Sequence, residues 1–385
     1  MMNNFVFHNP TKIIFGREIL SQLGKEVSAY GKKVLMVYGQ NSIKQNGVYN
    51  QVMASLTAAG IAVVEFPGVK GNPVVSHARQ GADLAKAEKV DVILAVGGGS
   101  VLDEAKGIAA GAIENVDVWD FFTGTKSITK ALPIITVITL PATGSEMNGG
   151  MVITNEDTNE KFGMGGIPAL FPKVSFLDPE TTFSLSLKQT AYACADIMSH
   201  LSEGYFTTSA ITLPVQDGYI EGLVKAVMAS MLKIKLNPSD YEARAHFMWA
   251  ATLGWNELGT CGIPNGTIPC HALEHPISGI YDVAHGAGLS IVTPAWLKFR
   301  KNQIAHRILQ YGKNILGIET DSPDVVIEAL EVFYTSIGTP IRFGQAQIDS
   351  PDFEALTLQS MKLFNAWGIK GYTNDDIQKI YRLCV

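Results

Sequence analysis

Apolar residues in the first half of the chain fall into short runs separated by segments of helical spacing. The runs that predict strands lie at 12–15, 33–38, 61–65, 90–96 and 132–139. Between them, 47–59 and 76–88 have the spacing of amphipathic helices. Continuous Val, Ile and Leu strands that alternate with helices are typical of a parallel sheet covered on both faces. The pattern therefore predicts a doubly wound, mostly parallel α/β domain that binds ligands at the carboxyl ends of its strands.

The pattern changes after about residue 187, where long helical segments replace the apolar runs. The clearest predicted helices lie at 187–206, 215–232 and 241–255. The segment 178–186 contains Pro, Ser and Thr, and this composition predicts a hinge between the two halves. We therefore predict an α/β domain over residues 1–185 and an all-helical domain over residues 186–385.

Composition agrees with two folded domains and excludes several functional classes. The 385 residues are 46% hydrophobic and 17% charged, which is typical of a compact globular protein. The net charge of −6 argues against electrostatic capture of nucleic acid or of an anionic membrane. The four cysteines are too scattered for a disulfide framework, and no apolar run approaches the roughly 18 residues needed to cross a bilayer. The N-terminus lacks the features of a secretory signal, so we expect a cytoplasmic protein with no membrane partner.

Two glycine-rich turns follow predicted strands. Gly97, Gly98, Gly99 and Ser100 come after the run at 90–96 and open a helix. Such a loop lets the backbone approach a phosphate, which the helix dipole also favours, although a tight turn that binds nothing has the same sequence. Ser100 is also a candidate helix cap with Asp103 as its partner.

The second turn, residues 140–146, follows another buried run. Two such turns at strand ends favour a dinucleotide laid along the edge of the sheet, although neither turn has a standard Rossmann or Walker sequence. The strand that ends at Tyr38 is followed by Gly39, where NAD-specific sites usually carry an acidic residue. Since no carboxylate is there to repel a 2′-phosphate, we predict that NADP(H) is preferred over NAD(H).

A group of histidines and one aspartate predicts a metal site. Asp196 and His200 are four residues apart and therefore share one helix face, and His271, His275 and His285 lie within fifteen residues. A carboxylate and neutral imidazoles suit Fe²⁺ or Zn²⁺. The alternative is a hydrogen-bonded Asp–His pair in an ordinary helical core, and spacing alone does not choose between the two.

These residues occur in an arrangement that resembles the iron-containing (group III) alcohol dehydrogenases, and most closely their butanol dehydrogenase and broad-specificity aldehyde reductase branch. The resemblance covers essentially the whole chain. It rests on segments at 9–16, 71–73, 97–106, 140–146, 196–200, 271–285 and 373–381. It implies a metal-dependent alcohol dehydrogenase or aldehyde reductase that transfers hydride between NADP(H) and a small primary alcohol or aldehyde. A homodimer is also implied.

The resemblance also implies a role for individual residues. It places one divalent metal, iron or zinc, on Asp196, His200, His271 and His285. It places His275 beside the nicotinamide as a proton relay rather than on the metal. It assigns the cofactor to Gly39, Asn72, Gly97, Gly98, Gly99, Ser100, Asp103, Thr139 and Lys161.

Three other functions stay open. A glycerol dehydrogenase or a dehydroquinate synthase-like enzyme would have the same architecture, but the rather apolar segment 249–265 favours small uncharged substrates. A metal-dependent hydrolase would use the Asp–His cluster but would not need a dinucleotide platform. A non-catalytic nucleotide-binding protein would leave the histidines unexplained.

Overall fold

A six-stranded parallel sheet forms the centre of the N-terminal part of the chain. The structure is a computed structural model that describes residues 2–114, 116–210 and 212–385. The strands in these residues are β1 (Lys12–Phe15), β2 (Lys33–Tyr38), β3 (Ala62–Pro67), β4 (Val92–Gly98), β5 (Ile134–Leu140), β6 (Met151–Asn155), β7 (Glu160–Met164) and β8 (Val174–Leu177). The sheet has the order β1-β8-β5-β4-β2-β3, with every neighbouring pair parallel. The predicted doubly wound, mostly parallel architecture is confirmed.

Helices follow the strands and then fill the second half of the chain. Those of the first half are α1 (Leu23–Ser28), α2 (Ser42–Gln45), α3 (Val48–Ala58), α4 (Val75–Ala87), α5 (Gly99–Glu114) and α6 (Val118–Phe122). The second half holds α7 (Leu187–Thr207), α8 (Pro214–Leu236), α9 (Tyr241–Gly254), α10 (Pro269–Tyr281), α11 (His285–Arg300), α12 (Ala305–Tyr311), α13 (Pro323–Ile337), α14 (Phe353–Ala366) and α15 (Asn374–Arg382). This helical second half is also as predicted.

Both faces of the inner strands of the sheet, β2, β4, β5 and β8, are buried. On β2, Leu35 and Val37 belong to a core cluster with residues of α4 and α5, whereas Val34 and Met36 belong to a cluster with residues of α1 and α3. Since successive side chains of a strand point to opposite faces, a strand covered on both faces needs an unbroken apolar run. That requirement is why the β2 sequence is apolar throughout and could be recognised as a strand.

Three strands were not predicted. β8 contributes only four residues to the sheet, between β1 and β5. β6 and β7 form a separate antiparallel hairpin, and the β7 sequence Glu-Lys-Phe-Gly-Met has no apolar run. Short or mixed strands carry a weak periodic signal, and their pairing partners decide whether they form.

The chain separates into two compact units. One contains residues 8–185 together with 239–252, and therefore holds the sheet and most of α9. The other contains the segment that ends at Phe7, residues 186–238 and residues 253–385. Within the described residues, no helix combines the length and the apolar character that crossing a membrane requires.

Candidate metal and cofactor sites

Helix α7 carries Asp196 and His200 into the interior of the helical unit. The helix begins with a capping box in which the Ser186 side chain accepts from the Gln189 backbone amide, so its start is well defined. Asp196 is 3% exposed and His200 is 8% exposed. Their spacing of four residues places both side chains on one face, as the sequence predicts.

Three imidazoles converge on one carboxylate oxygen. The distances to Asp196 Oδ1 are 3.3 Å from His200 Nδ1, 3.8 Å from His271 Nε2 and 3.6 Å from His285 Nε2. His271 lies on α10, and His285 is the first residue of α11. The three predicted histidine ligands therefore all lie within contact distance of Asp196, although up to 89 positions separate them from it in the sequence (285 minus 196).

Three polar atoms at the centre of this group are buried without a hydrogen-bond partner among the described residues. They are Asp196 Oδ1, His200 Nδ1 and His271 Nε2. Leaving a polar atom buried and unpaired costs about 1–3 kcal/mol, and more for a charged group. A divalent cation among these atoms would satisfy all three at once. One carboxylate and three imidazole nitrogens form a donor set that suits Fe²⁺ or Zn²⁺, so the residues fit the expected metal.

The ionisable groups of the cluster are strongly perturbed. Burial lowers the pKa of His200 to about 4, which keeps this imidazole neutral, as a metal ligand must be. Burial alone would raise the pKa of Asp196, but the neighbouring histidines, including a hydrogen bond from His271, outweigh burial and hold that pKa below its ordinary value. Asp196 is therefore an anion in the helical core, where a cation stabilises it.

Glu203 contacts the His271 ring on the side away from Asp196. The sequence analysis did not identify this residue. One carboxylate oxygen contacts His271 Nδ1, and the other accepts a hydrogen bond from the backbone amide of Cys270 at 2.5 Å. Burial lowers the pKa of His271, but Glu203 and Asp196 together outweigh burial and raise that pKa to about 10, so a cation that binds this ring must displace a proton. A carboxylate on the non-ligating nitrogen fixes the tautomer and the ring orientation of a metal-binding histidine.

Glu274 does the same for His285. Its Oε2 contacts His285 Nδ1, while its Oε1 accepts a hydrogen bond from the Ser278 hydroxyl. Glu274 is fully buried. The signal that would have found both glutamates is their spacing, since Glu203 lies seven residues after Asp196 and Glu274 lies three after His271, so each can share a helix face with a ligand.

His275 lies beside the cluster but does not join the three rings around Asp196. Its ring centroid is 5.5 Å from that of His285 and 6.4 Å from that of His271. The indole of Trp367, which the sequence did not single out, packs edge-on against it at 5.2 Å. A second indole, Trp255, lies 4.9 Å from the His200 ring.

The glycine residues predicted to bind the cofactor lie at the carboxyl ends of neighbouring strands. The register pairs Tyr38 of β2 with Val96 of β4, so Gly39 follows beside Gly97. On the other side of β4, Gly97 pairs with Ile138, and the register shifts between Gly97 and Gly98, next to Thr139 of β5. Parallel strands present their carboxyl ends at one edge of the sheet, which is where such folds bind ligands.

The glycine loop is closely packed from behind. A Cβ built on Gly99 would lie 2.4 Å from the hydroxyl oxygen of Thr143, and one on Gly97 would lie 2.5 Å from a methyl group of Val101. Both distances are shorter than real Cβ contacts allow. The glycines are therefore required by the packing of the turn itself, whether or not a phosphate binds there.

The predicted capping role of Ser100 and Asp103 is wrong. Helix α5 already begins at Gly99, and the Ser100 hydroxyl donates to the carbonyl oxygen of Gly71 at 2.5 Å. One oxygen of Asp103 accepts a hydrogen bond from the Ser145 hydroxyl of the second glycine-rich turn at 2.7 Å, and the other accepts one from the Val152 amide of β6 at 3.0 Å. Tertiary contacts thus replaced the local hydrogen bonds that the sequence suggested.

Asn72 and Lys161, the two remaining predicted cofactor residues, contact each other near the glycine loop. Lys161 of β7 donates to the side-chain oxygen of Asn72 at 3.1 Å, and Lys161 is only 5% exposed. A nearly buried ammonium group beside a loop that contacts Ser100 provides positive charge next to the proposed phosphate loop. The β6–β7 hairpin, absent from the sequence prediction, is what brings Lys161 there.

Comparisons with known proteins agree with this fold and this set of side chains. A family profile described as "Iron-containing alcohol dehydrogenase" matches residues 10–179, and one described as "Fe-containing alcohol dehydrogenase family, C-terminal" matches residues 190–385. The chain is 38% identical to the probable NADH-dependent butanol dehydrogenase 1 of Bacillus subtilis, over 99% of both chains. It is 35% identical to the NADPH-dependent aldehyde reductase YqhD of Escherichia coli, over 92% of both chains.

The structural comparison gives the same result. A crystal structure of NADH-dependent butanol dehydrogenase A from Thermotoga maritima superimposes with a TM-score of 0.96 at 42% identity, covering 100% of this chain and 99% of that one. A parallel sheet with glycine-rich strand ends, joined to a helical unit that carries a buried Asp–His cluster, defines the protein as an alcohol and aldehyde oxidoreductase of the iron-containing alcohol dehydrogenase family. Within that family the chain belongs to the butanol dehydrogenase and aldehyde reductase branch.

Proposed function

We propose that the protein interconverts small aldehydes and primary alcohols of about the size of butanal and butanol, with NADP(H) as the hydride carrier and one Fe²⁺ or Zn²⁺ ion. The observation that carries this proposal is the convergence of three buried, unpaired polar atoms of Asp196, His200 and His271. Such an arrangement is stabilised by a cation and has no other evident use in a helical core.

Asp196, His200, His271 and His285 would hold the metal. When bound, the metal supplies Lewis-acid polarisation of the substrate oxygen, and the nicotinamide supplies the hydride. The carboxylate of Asp196 provides the negative charge of the site, while Glu203 and Glu274 hold the His271 and His285 rings in place.

His275 is proposed to move the proton. Reduction of an aldehyde adds a hydride to the carbonyl carbon and a proton to the oxygen, and an imidazole is well suited to donate that proton near neutral pH. The His275 ring lies next to the ligand ring of His285, and the edge-on contact with Trp367 limits its rotation. The His275 ring is therefore close to the proposed metal site, where the substrate oxygen would bind, but it is not a proposed metal ligand.

A small cavity with mostly apolar walls adjoins the proposed metal site. It lies beside His200 and is lined by Leu201, Ile220 and Ile263, with three glycines and the hydroxyl-bearing Thr260. No charged side chain in the described part of the chain lines it, but its volume of about 10 Å³ holds about one water molecule and is too small for a butanal chain. The proposal of a small uncharged substrate rests instead on the butanol dehydrogenase and aldehyde reductase relatives.

Metal analysis combined with one variant tests the proposal. Purified protein should contain about one Fe or Zn per chain, and His271→Ala should lose both the metal and butanal reduction while still binding NADPH. His306→Ala, on an exposed part of α12, is the matched control and should keep both properties. Full turnover by His271→Ala would refute the metal site. Reloading metal-free enzyme with Fe²⁺ or Zn²⁺ separately would identify the active ion.

NADP(H) is proposed over NAD(H) because of Gly39. A Cβ at this position would meet only the Val69 carbonyl oxygen, at 3.7 Å, so the position has room for a larger group. Two of the relatives compared above are described as NADH-dependent butanol dehydrogenases, which makes NADH the second candidate. Gly39→Asp should raise the KM for NADPH strongly and that for NADH little, since a carboxylate repels only the 2′-phosphate. Gly39→Asn, with the same shape and no charge, should leave the ratio nearly unchanged; an equal change in both variants would contradict our interpretation of Gly39.

A homodimer and a cytoplasmic location complete the proposal. The dimer rests on the family resemblance, and the location on the four unpaired cysteines, three of them buried, which suit a reducing compartment. Light scattering after size-exclusion chromatography should give twice the mass of one chain.

A further inference from the structure

An ion pair between the buried Glu104 and the half-buried His77 in the α/β unit has no role in the function proposed so far. Glu104 of α5 is fully buried, and its Oε1 lies 2.5 Å from Nδ1 of His77 on α4. Its other oxygen, Oε2, is buried without a hydrogen-bond partner among the described residues. Burying a carboxylate with one unpaired oxygen costs folding free energy. We therefore expect the Glu104–His77 pair to contribute to the function of the protein.

The other side of the His77 ring reaches the turn that follows β3. Nε2 of His77 lies 3.2 Å from the Pro67 carbonyl oxygen, and the ring stacks on Phe66 with centroids 4.4 Å apart. A carbonyl oxygen only accepts, so Nε2 must carry a proton. A second proton must lie between Nδ1 and the Glu104 oxygen, because two lone pairs facing each other at 2.5 Å would repel.

The turn held by His77 lies directly against Gly39. The Gly68 amide donates to the carbonyl oxygens of Tyr38 and Gly39, both at 3.1 Å, and the Val69 amide donates to that of Tyr38 at 3.3 Å. The Val69 carbonyl oxygen is also the atom nearest to a Cβ at Gly39. A continuous set of hydrogen bonds thus runs from α5, through His77, to the strand end where the cofactor is proposed to place its 2′-phosphate.

We propose that His77 and Glu104 are positioning residues for the adenosine end of the cofactor, which they act on by fixing the turn formed by residues 67–69 against Gly39. This inference rests on the proposed dinucleotide site. The ligand is a nucleotide that carries a ribose 2′-phosphate, and the pair affects its affinity rather than the hydride step.

The pair should keep its shared proton through neutral pH. The hydrogen bond to Glu104 raises the pKa of His77 above its ordinary value, against burial and against the positive charge of Lys70, which lower it. Burial raises the pKa of Glu104 as well, so the pair holds its proton to a higher pH than an isolated histidine would. Above that pKa the two groups repel, the ring is displaced from Pro67, and the turn loses its support.

The test measures binding of 2′,5′-ADP, which contains only the adenosine end with its 2′-phosphate, together with NADPH kinetics. His77→Gln cannot bridge Glu104 and Pro67 with the same geometry, so we expect Kd for 2′,5′-ADP and KM for NADPH to rise about tenfold while kcat at saturating NADPH stays within a factor of two. Glu104→Gln should act in the same direction. His246→Gln, an exposed histidine on α9, is the control and should change neither value.

A pH series on the unmodified enzyme provides a second measurement that does not depend on a variant folding. Between pH 7 and 9.5, Kd for 2′,5′-ADP should rise as His77 loses its proton, and His77→Gln should remove this pH dependence. Imidazole NMR of the free enzyme should give His77 a pKa above 6.5. An unchanged Kd in both variants, or a His77 pKa at or below 6.5, would overturn the inference. If the unmodified enzyme bound neither 2′,5′-ADP nor NADPH, the proposed cofactor site would fail instead.

Discussion

Buried polar atoms without hydrogen-bond partners are the feature that indicates a metal site. Burying Asp196 Oδ1 and the ring nitrogens of His200 and His271 without partners would each cost folding free energy. Because the three atoms converge, one cation would pair with all of them. His275 differs from these residues because its ring lies beside the cluster rather than around Asp196. At the scale of single residues, the difference between a ligand and a neighbour is therefore one of geometry and not of residue type.

Replacing His275 tests this distinction. His275→Phe keeps a planar ring against Trp367 but removes the group that donates a proton, so kcat for butanal reduction should fall by about 10²–10⁴-fold. Metal content, measured by plasma mass spectrometry, should remain near that of the unmodified enzyme. The matched control is His306→Phe on the exposed side of α12, which should affect neither. Loss of the metal from His275→Phe would instead make His275 a ligand.

Helices α7, α10 and α11 bring the site together, and two glutamates connect them. Glu203 on α7 binds the backbone at the start of α10 and also the ring of His271. Glu274 on α10 binds the ring of His285 at the start of α11. Each carboxylate therefore fixes the position of one helix relative to the next, as well as the orientation of one ligand. The glycine loop depends on similar support, since Asp103 of α5 holds the second glycine-rich turn through Ser145 and β6 through Val152.

Removing the charge of Glu203 should weaken the metal site without abolishing it. Glu203→Gln retains the shape but loses the carboxylate that fixes His271, and such changes typically cost 10–100-fold in metal affinity. Competition with a chromogenic chelator measures that affinity directly, independently of turnover. Glu354→Gln removes the same charge from an exposed position on α14 and should leave the affinity unchanged. An unchanged affinity in Glu203→Gln would show that the ring is held by packing alone.

At the scale of the whole molecule, the site joins segments that are far apart in the sequence. A cation bound by the proposed ligands on α7, α10 and α11 would bind the folded chain only, so it would also shift the folding equilibrium. The net charge of −6 is small for a chain of this length, so long-range charge is not expected to steer the uncharged substrate.

Metal removal should therefore lower the melting temperature. A ligand present at 100 times its Kd stabilises the folded state by about 2.7 kcal/mol, which corresponds to roughly 5–10 °C for a unit of this size. Scanning calorimetry before and after chelation measures the shift, and adding Fe²⁺ or Zn²⁺ back should reverse it. His271→Ala should show no shift on chelation. A melting temperature unaffected by chelation in the unmodified protein would mean that no cation contributes to folding.

Several parts of the architecture could be predicted from the sequence because their physical signal is local. An unbroken apolar run such as that of β2 is required by burial on both faces, and the long helical spacing of α7 is visible without knowledge of its partners. By contrast, β7 and β8 form because neighbouring strands pair with them, and neither has a pattern of its own. The predicted cap at Ser100 failed for the same reason, since its hydroxyl found a tertiary partner in Gly71.

The amino-acid sequence alone predicts the alternation of strands and helices, the glycine-rich strand ends and the types of residue available for a metal site. It also carried the spacing of Asp196 and His200, because four residues of helix place two side chains on one face whatever surrounds them. Only the tertiary structure decided that His271 and His285 meet that pair, that Glu203 and Glu274 stand behind them, and that His77 supports the turn at Gly39. Those contacts join residues from separate helices and strands, and the packing of the core, rather than any local pattern, fixes the distances between such elements.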